Sequence, residues 1–358
     1  MKLRRKTAIF GCFTPKECLR GSNIVSLMDS LTTASALAAL MQSLGPVKTL
    51  LEDPQVQEVE INGPDDVWFE RCGVQQPANV KITKAQIETA ITVLARLDHK
   101  DAKGGTRDGI IDARMDGFRV AAALAPTSVR GPSMCIRKHN LLRLSIDDYA
   151  AAGTFTTEWA VKLKEMVRAK KNILVVGGTS SGKTTFTNAL IAEIPNDERV
   201  LTIEDTPELK VTTPNWVSLE SNTQKGISTK DLVRLALRYR PDRIIVGEVR
   251  GGEAYDLLDA ANTGHDGVIA TLHANSSFDA LSRFETLILQ GGVQWPHRAI
   301  CSQIARTFDY VLFMARRRGV RRLEEVLALN GYNSESEKYL YEILYQSETK
   351  EGGRSQSF

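Results

Sequence analysis

Residues 172–194 run from a continuous apolar stretch, NILVVGG, through GGTSSGKTT into the helical pattern TTFTNALIAEI. Gly177, Gly178, Thr179, Ser180, Ser181, Gly182, Lys183 and Thr184 fit G-x-x-x-x-G-K-[ST], and Thr185 continues into the helix. A strand with no polar alternation is buried on both faces, as in a parallel sheet covered by helices. Glycines let the turn adopt backbone conformations closed to other residues, so that N–H groups converge on one concavity the size of a phosphate. The helix that follows turns the positive end of its dipole toward the same anion. Lys183 is then placed to bridge β- and γ-phosphates, and the Thr184 hydroxyl to hold Mg²⁺. This unit predicts an α/β core and a nucleoside triphosphate ligand.

Four further apolar runs, RVLTIED, RIIVGE, GVIATLH and YVLFMA, repeat the buried-strand signature with helical patterns between them. With the amphipathic helix EWAVKLKEMVRAK in front, residues 157–345 read as an α/β domain with a mostly parallel sheet. Residues 26–140 have another texture. Leu27, Leu31, Leu37, Met41 and Leu44 recur at helical spacing until Gly45-Pro46 stops them. VQEVEING alternates as a strand does and turns at Asn62-Gly63-Pro64 into VWFER. Thr83 looks like an N-cap, with Gln86 three residues on and Ile87, Ile91 and Leu94 on one helix face. FRVAAAL and SMCIRKH read as further strands, so an α+β domain with an antiparallel sheet is expected here. Residues 141–156 lack a period and read as a linker. Residues 1–25, basic and aperiodic, and the polar stretch 346–358 are expected to be poorly ordered.

A chain that is 42% apolar and 25% charged can bury a core in each of two domains. Its formal net charge of +3 gives no global electrostatic case for nucleic acid. No apolar run approaches the roughly 20 residues needed to span a bilayer. The leader MKLRRKTAIFGCF is too short for a secretory apolar region, so a cytoplasmic protein, peripheral to a membrane, is expected. Cys12, Cys18, Cys72, Cys135 and Cys301 are scattered and without metal-ligand spacing; they read as incidental thiols in a reducing compartment.

Metal-assisted phosphoryl transfer needs carboxylates at the ends of neighbouring strands. RVLTIEDTPEL supplies Glu204-Asp205 and then Glu208, and RPDRIIVGEVRGGEA supplies Glu248. In the second run, Gly247-Glu248 stands where an apolar strand of this kind usually ends in aspartate. Either acid alone is equally well a solvated strand end; beside a phosphate loop, both are candidates for metal or water. His265 lies in ANTGHDG, and His273 ends GVIATLH. A histidine there is either a satisfied structural residue or a sensor of the γ-phosphate, and both readings are open.

Together, GGTSSGKTT, TIEDTPEL, IIVGEVRGGEA and TGHDGVIATLHANS resemble the Walker A, aspartate, Walker B and histidine boxes of the type II and type IV secretion (traffic) ATPases. DPQVQEVEINGPDDVWFER and DARMDGFRVAAALAPTSVRGPSMCIRKH resemble the N-terminal domain of the conjugation branch, and TrbB-type conjugative transfer ATPases are the nearest likeness. The resemblance covers residues 45–330. It implies a RecA-like, homohexameric ATPase that uses ATP and Mg²⁺ beneath the inner membrane, with each nucleotide between the two domains of a subunit and the site completed by a neighbour. By position, Glu248 corresponds to the glutamate that orients or deprotonates the attacking water. Glu204 corresponds to the aspartate-box acid that supports the metal or that water, and His273 to the histidine box. Thr184, Glu204 and Glu248 are thus the implied metal set.

Phosphoryl transfer also needs arginines. Arg114, Arg119 and Arg137 lie in the stretches where the family places them, with Arg130 and Arg240 as further candidates; each is equally an ordinary surface ion pair. Arg316, Arg317, Arg318, Arg321 and Arg322 read as a solvated strip, or as a face for anionic lipid or a channel partner. The implied partners are inner-membrane components of a secretion channel, without obligatory nucleic-acid contact. Competing readings are a type IV pilus-assembly ATPase, a nucleic-acid-translocating RecA-like motor, a non-catalytic nucleotide scaffold, and a GTPase switch, the last disfavoured because no N-K-x-D occurs.

Overall fold

The computed structural model describes residue 35 and residues 37–71, 73–97, 101–115, 117–138, 144–317 and 320–347. The basic N-terminus, residues 26–34 of the expected first helix and most of the polar tail lie outside this set. The chain divides into a compact unit that ends at Leu141 and another that begins at Leu142.

In the first unit, residues 37–43 are helical. There follow α1 (Lys48–Glu52), β1 (Val56–Gly63), β2 (Asp66–Arg71), β3 (Val74–Pro77), α2 (Lys84–Leu97), β4 (Ile110–Met115), β5 (Phe118–Ala123) and β6 (Ser133–Lys138). The strands form one antiparallel sheet in the order β3-β2-β1-β6-β5-β4. Alternation sends Val59, Ile61, Val120 and Ile136 to one face, where they pack with Ile87, Ile91 and Leu94 of α2. The opposite face carries Glu58, Glu60, Arg119 and Arg137. The α2 cap is reciprocal: the Thr83 N–H donates to Gln86 Oε1 (2.9 Å), and the Gln86 N–H donates to Thr83 Oγ1 (3.3 Å). β3 left no sequence signal because it is a short, mostly exposed edge strand.

The second unit contains α3 (Ile146–Ala151), α4 (Thr157–Arg168), β7 (Ile173–Gly177), α5 (Lys183–Ile191), β8 (Val200–Glu204), β9 (Trp216–Glu220), α6 (Thr229–Ala236), β10 (Arg243–Val246), α7 (Glu253–Asn262), β11 (Ile269–His273), α8 (Ser277–Gln290), α9 (His297–Thr307), β12 (Tyr310–Arg317), β13 (Val320–Asn333) and β14 (Lys338–Gln346). Its sheet runs β14-β13-β12-β7-β11-β10-β8-β9, parallel from β12 to β9, with β13 and β14 added antiparallel. The continuous apolar runs have a simple cause. Leu174, Val176, Ile244, Val246 and Leu272 face one core with α6 to α9. Ile173, Val175, Ile245 and Ile269 face the other with α3 to α5. Among the described residues, no helix is long and apolar enough to cross a membrane.

Residues 141–156, expected to be a linker, include a packed helix. Ser145 and Asp148 form a capping box for α3, which buries Ile146 and Tyr149. The Tyr149 ring meets Phe186 of α5 edge-on, with centroids 5.3 Å apart. The polar residues that suggested a linker are the cap itself, and two large side chains suffice to anchor so short a helix.

One buried side chain ties β7 to its surroundings. Asn172 Oδ1 accepts from the N–H groups of Gly267 and Val268, both at 2.8 Å, and its Nδ2 donates to the Thr307 carbonyl at 2.8 Å. Asn172→Ala leaves three buried backbone groups without these partners, so unfolding stability measured in urea should fall by about 2–4 kcal/mol. A fall below about 1 kcal/mol would mean that this tie carries little weight.

Candidate functional site

The phosphate loop joins the buried end of β7 to the N-terminus of α5. Ser180 takes a left-handed conformation (φ 57°), and Gly182 caps α5 with φ 91°. The first-turn N–H groups of α5 have no acceptors within the helix, so they and the helix dipole favour an anion there. Thr184 and Thr185 stand half-buried in that turn. Lys183 is only 8% exposed, and its ammonium donates to the carbonyls of Gly177 (2.9 Å) and Gly178 (3.0 Å). The buried Ser181 hydroxyl has no hydrogen-bond partner. Arg321 of β13 braces the loop from outside: its Nε donates to the Ser180 carbonyl at 3.2 Å. A Cβ at Gly182 would come within 2.9 Å of Arg321 Cδ.

Register brings the other groups alongside. His273 pairs with Gly177 across β11 and β7, while Val246 of β10 pairs with Ala270 and with Ile203 of β8. Four parallel strands therefore deliver the loop, His273, Gly247-Glu248 and Glu204 to one edge of the sheet. Nδ1 of His273 is 3.3 Å from the Lys183 ammonium, and its Nε2 is 2.9 Å from Glu248 Oε1. An ammonium can only donate, so Nδ1 accepts, and Nε2 carries the proton that it donates to Glu248. Burial first, and then the Lys183 charge, lower the His273 pKa and keep the ring neutral. The other Glu248 oxygen accepts from Arg250, which also donates to Asp205 Oδ2 at 2.9 Å. Asp205 Oδ1 accepts from the Ser221 (2.6 Å) and Thr229 (3.2 Å) hydroxyls. An unbroken chain of polar contacts thus runs from Lys183 through His273, Glu248 and Arg250 to Asp205.

Glu204 stands apart from that chain and is only 4% exposed. Its Oε1 accepts from the backbone N–H groups of Glu208 (2.8 Å) and Leu209 (2.9 Å), and its Oε2 has no partner. Burial outweighs these two bonds and pushes its pKa up to about 7. The glycine at 247, unusual at the end of such a strand, follows from the same packing. A Cβ there would lie 2.7 Å from Glu204 Cγ, so the glutamate occupies the space of a side chain at 247. A buried carboxylate with an open oxygen suits a cation or the water around one, and Thr184 and Glu248 are the other oxygen donors expected for it. Beside the loop opens a cleft of about 510 Å³, lined in part by Thr179, His273, Asn275 and Arg283.

The arginines expected to act on phosphate occupy one row of the first unit's sheet. Arg114 pairs in register with Arg119, Arg119 with Arg137, and Arg137 with Glu58. Arg119 is engaged with Asp112 through Nε (3.2 Å) and Nη2 (3.0 Å). Arg130 pairs with Asp66 at 3.1 Å, Arg240 is exposed, and His265 contacts the Ala260 carbonyl at 3.2 Å. Arg318 lies outside the described residues, and Arg317 lies 3.7 Å from Glu324. Neither Arg250 nor Arg283 was expected here, and Arg321 was expected only in a basic strip. Arg250 was legible, two residues past Glu248, whereas Arg283 and Arg321 reach the site only through the fold.

Residues 41–325 match the family model described as Type II/IV secretion system protein. The chain is 34% identical over 299 residues to the conjugal transfer protein TrbB of Rhizobium radiobacter, covering 82% of this chain and 90% of that protein. It is 30% identical over 333 residues to the type IV secretion system protein VirB11 of Bartonella henselae, covering 81% of this chain and 93% of that one. The ATPase DotB of Yersinia pseudotuberculosis shares the fold, with a TM-score of 0.59 at 19% identity, over 80% of this chain and 79% of that one.

The raised pKa of Glu204 sets a pH dependence. The folded state holds this proton more tightly than the unfolded one, so the stabilisation is complete below pH 4.5 and is lost as pH rises through about 7. Glu204→Gln mimics the protonated acid and removes that loss. In nucleotide-free protein, the stability of Glu204→Gln relative to wild type should rise between pH 5 and about 8 in urea titrations. A constant difference across that range would refute the assignment.

Proposed function

The chain belongs to the Type II/IV secretion system protein family, on its conjugation branch, as a P-loop ATPase, and from that premise we propose that it is a homohexameric motor hydrolysing ATP to drive conjugative transfer through a type IV secretion channel. The observation that carries this reading is the polar chain from Lys183 through His273 to Glu248, which couples the phosphate-binding cation to a carboxylate able to act on water. The conjugal transfer and type IV secretion names of the relatives support the choice of process. Its working place is then the cytoplasmic side of the inner membrane, against channel components, with no need to touch nucleic acid.

The roles follow from the geometry. Gly177 to Thr185 wrap the phosphates, and Lys183 exchanges its loop carbonyls for β- and γ-phosphate oxygens. Bound Mg²⁺ supplies charge that screens the phosphate oxygens, and Thr184, Glu204 and Glu248 are the residues to hold it, directly or through water. Glu248, oriented by the His273 Nε2–H and by Arg250, takes a proton from the attacking water. A γ-phosphate that draws Lys183 away from His273 alters the hydrogen bond that orients Glu248, so the site differs with and without it, as a motor requires. Arg114, Arg119 and Arg137 lie in the stretches where the family places arginines that neutralise phosphoryl charge.

Glu248→Gln tests this reading. Purified, the variant should bind ATP normally but turn it over roughly 10²–10⁴-fold more slowly, and in cells it should fail to support transfer. Transfer at wild-type frequency despite lost turnover would leave the nucleotide only a ring-holding role. The control Lys183→Ala should fold and lose turnover altogether.

A further inference from the structure

Three metal-ligating side chains converge at the junction of α8 and α9. Glu285 comes from α8, and His297 and Cys301 come from successive turns of α9. His297 Nε2 lies 2.9 Å from Glu285 Oε2 and 3.6 Å from Cys301 Sγ. The candidate ligand atoms all fall within 4.8 Å of one another. We propose that Glu285, His297 and Cys301 form a zinc site, with three protein ligands and a fourth position open to water.

The sulfur–nitrogen spacing of 3.6 Å is the one zinc requires, and the 2.9 Å nitrogen–oxygen contact must lengthen to admit the ion. With Zn–S about 2.3 Å and Zn–N and Zn–O about 2.0–2.2 Å, tetrahedral geometry places S and N about 3.6 Å apart and N and O about 3.4 Å apart. Small side-chain adjustments are enough to admit the ion. Sulfur, imidazole and carboxylate together select zinc over the Mg²⁺ used at the nucleotide. The surroundings are also suitable. The Tyr339 hydroxyl donates to Glu285 Oε1 at 2.6 Å and so orients Oε2 toward His297, the kind of outer contact that tunes a metal ligand. The Tyr332 hydroxyl, beside Cys301, is shielded from solvent without a well-aligned hydrogen bond. Cys301 is buried, so its sulfur is held in place by packing. The His297 side chain is 57% exposed, which leaves an entry path for the ion.

Such an ion would fasten α8 to α9 beneath the β13–β14 hairpin. The site was invisible in the spacing of the five cysteines because two of its three ligands are not cysteine.

Cobalt provides the test. Chelator-stripped full-length protein, held in excess Mg²⁺ and ATP analogue, is titrated with Co²⁺ and then with competing Zn²⁺. One equivalent per chain should bind, with a thiolate-to-cobalt charge-transfer band and tetrahedral d–d absorption, and Zn²⁺ should displace it. Cys301→Ser should abolish the charge-transfer band. His297→Ala, at an exposed position that should leave folding intact, should weaken binding by more than about 100-fold, and Tyr339→Phe by about 10–100-fold. Absence of the charge-transfer band, or a band and affinity unchanged in His297→Ala, would overturn the proposal.

Discussion

Lys183 is more than nine-tenths buried, with the carbonyls of Gly177 and Gly178 against its ammonium and the unprotonated nitrogen of His273 at 3.3 Å. A buried cation is tolerable only where polar groups are fixed around it, and it draws an anion to the same place. The rest of the site is arranged accordingly. His273 stays neutral beside it and passes a hydrogen bond to Glu248, and Arg250 holds the other side of that carboxylate. Glu204 and the loop residue Ser181 are left with open, buried oxygens.

These contacts exist because the sheet is buried on both faces. Strands packed between two helical layers cannot slip without moving a whole set of apolar side chains out of a core. Register is therefore fixed, and Gly177 and His273 are held side by side, as are Val246 and Ile203. Asn172 reinforces this at the opposite end of β7, and at the edge that carries the phosphate loop Gly247 makes room for Glu204. One small residue and one large one there form a single packing unit.

The first unit uses its sheet differently. One face is covered by helices, and the other presents a cross-strand row in which Arg119 and Arg137 lead to Glu58 and Glu70. Side chains that are directly opposite on antiparallel strands lie on one face, so a row of like charges is a feature that packing does not require. Asp112 compensates part of it through Arg119. In the second unit, the junction of α8 and α9 carries the second concentration of polar chemistry, with Glu285 as its centre.

The sequence by itself determined the phosphate loop, the two-sided burial of its strands, the acids and histidine at their ends, and the antiparallel character of the N-terminal sheet. Each of these is local: a turn needs glycine where it turns, and a strand shows the burial of its two faces in its own periodicity. Tertiary structure alone decided which partners meet. It put Arg321 on Ser180, read from the sequence only as part of a basic strip, across 141 positions of chain. It set Glu204 against Gly247, anchored α3 through Tyr149 and Phe186 where a linker was expected, and gathered Glu285 with His297 and Cys301. Periodicity says which side of an element is buried, but not what faces it there; that depends on strand order and helix packing, which no single segment encodes.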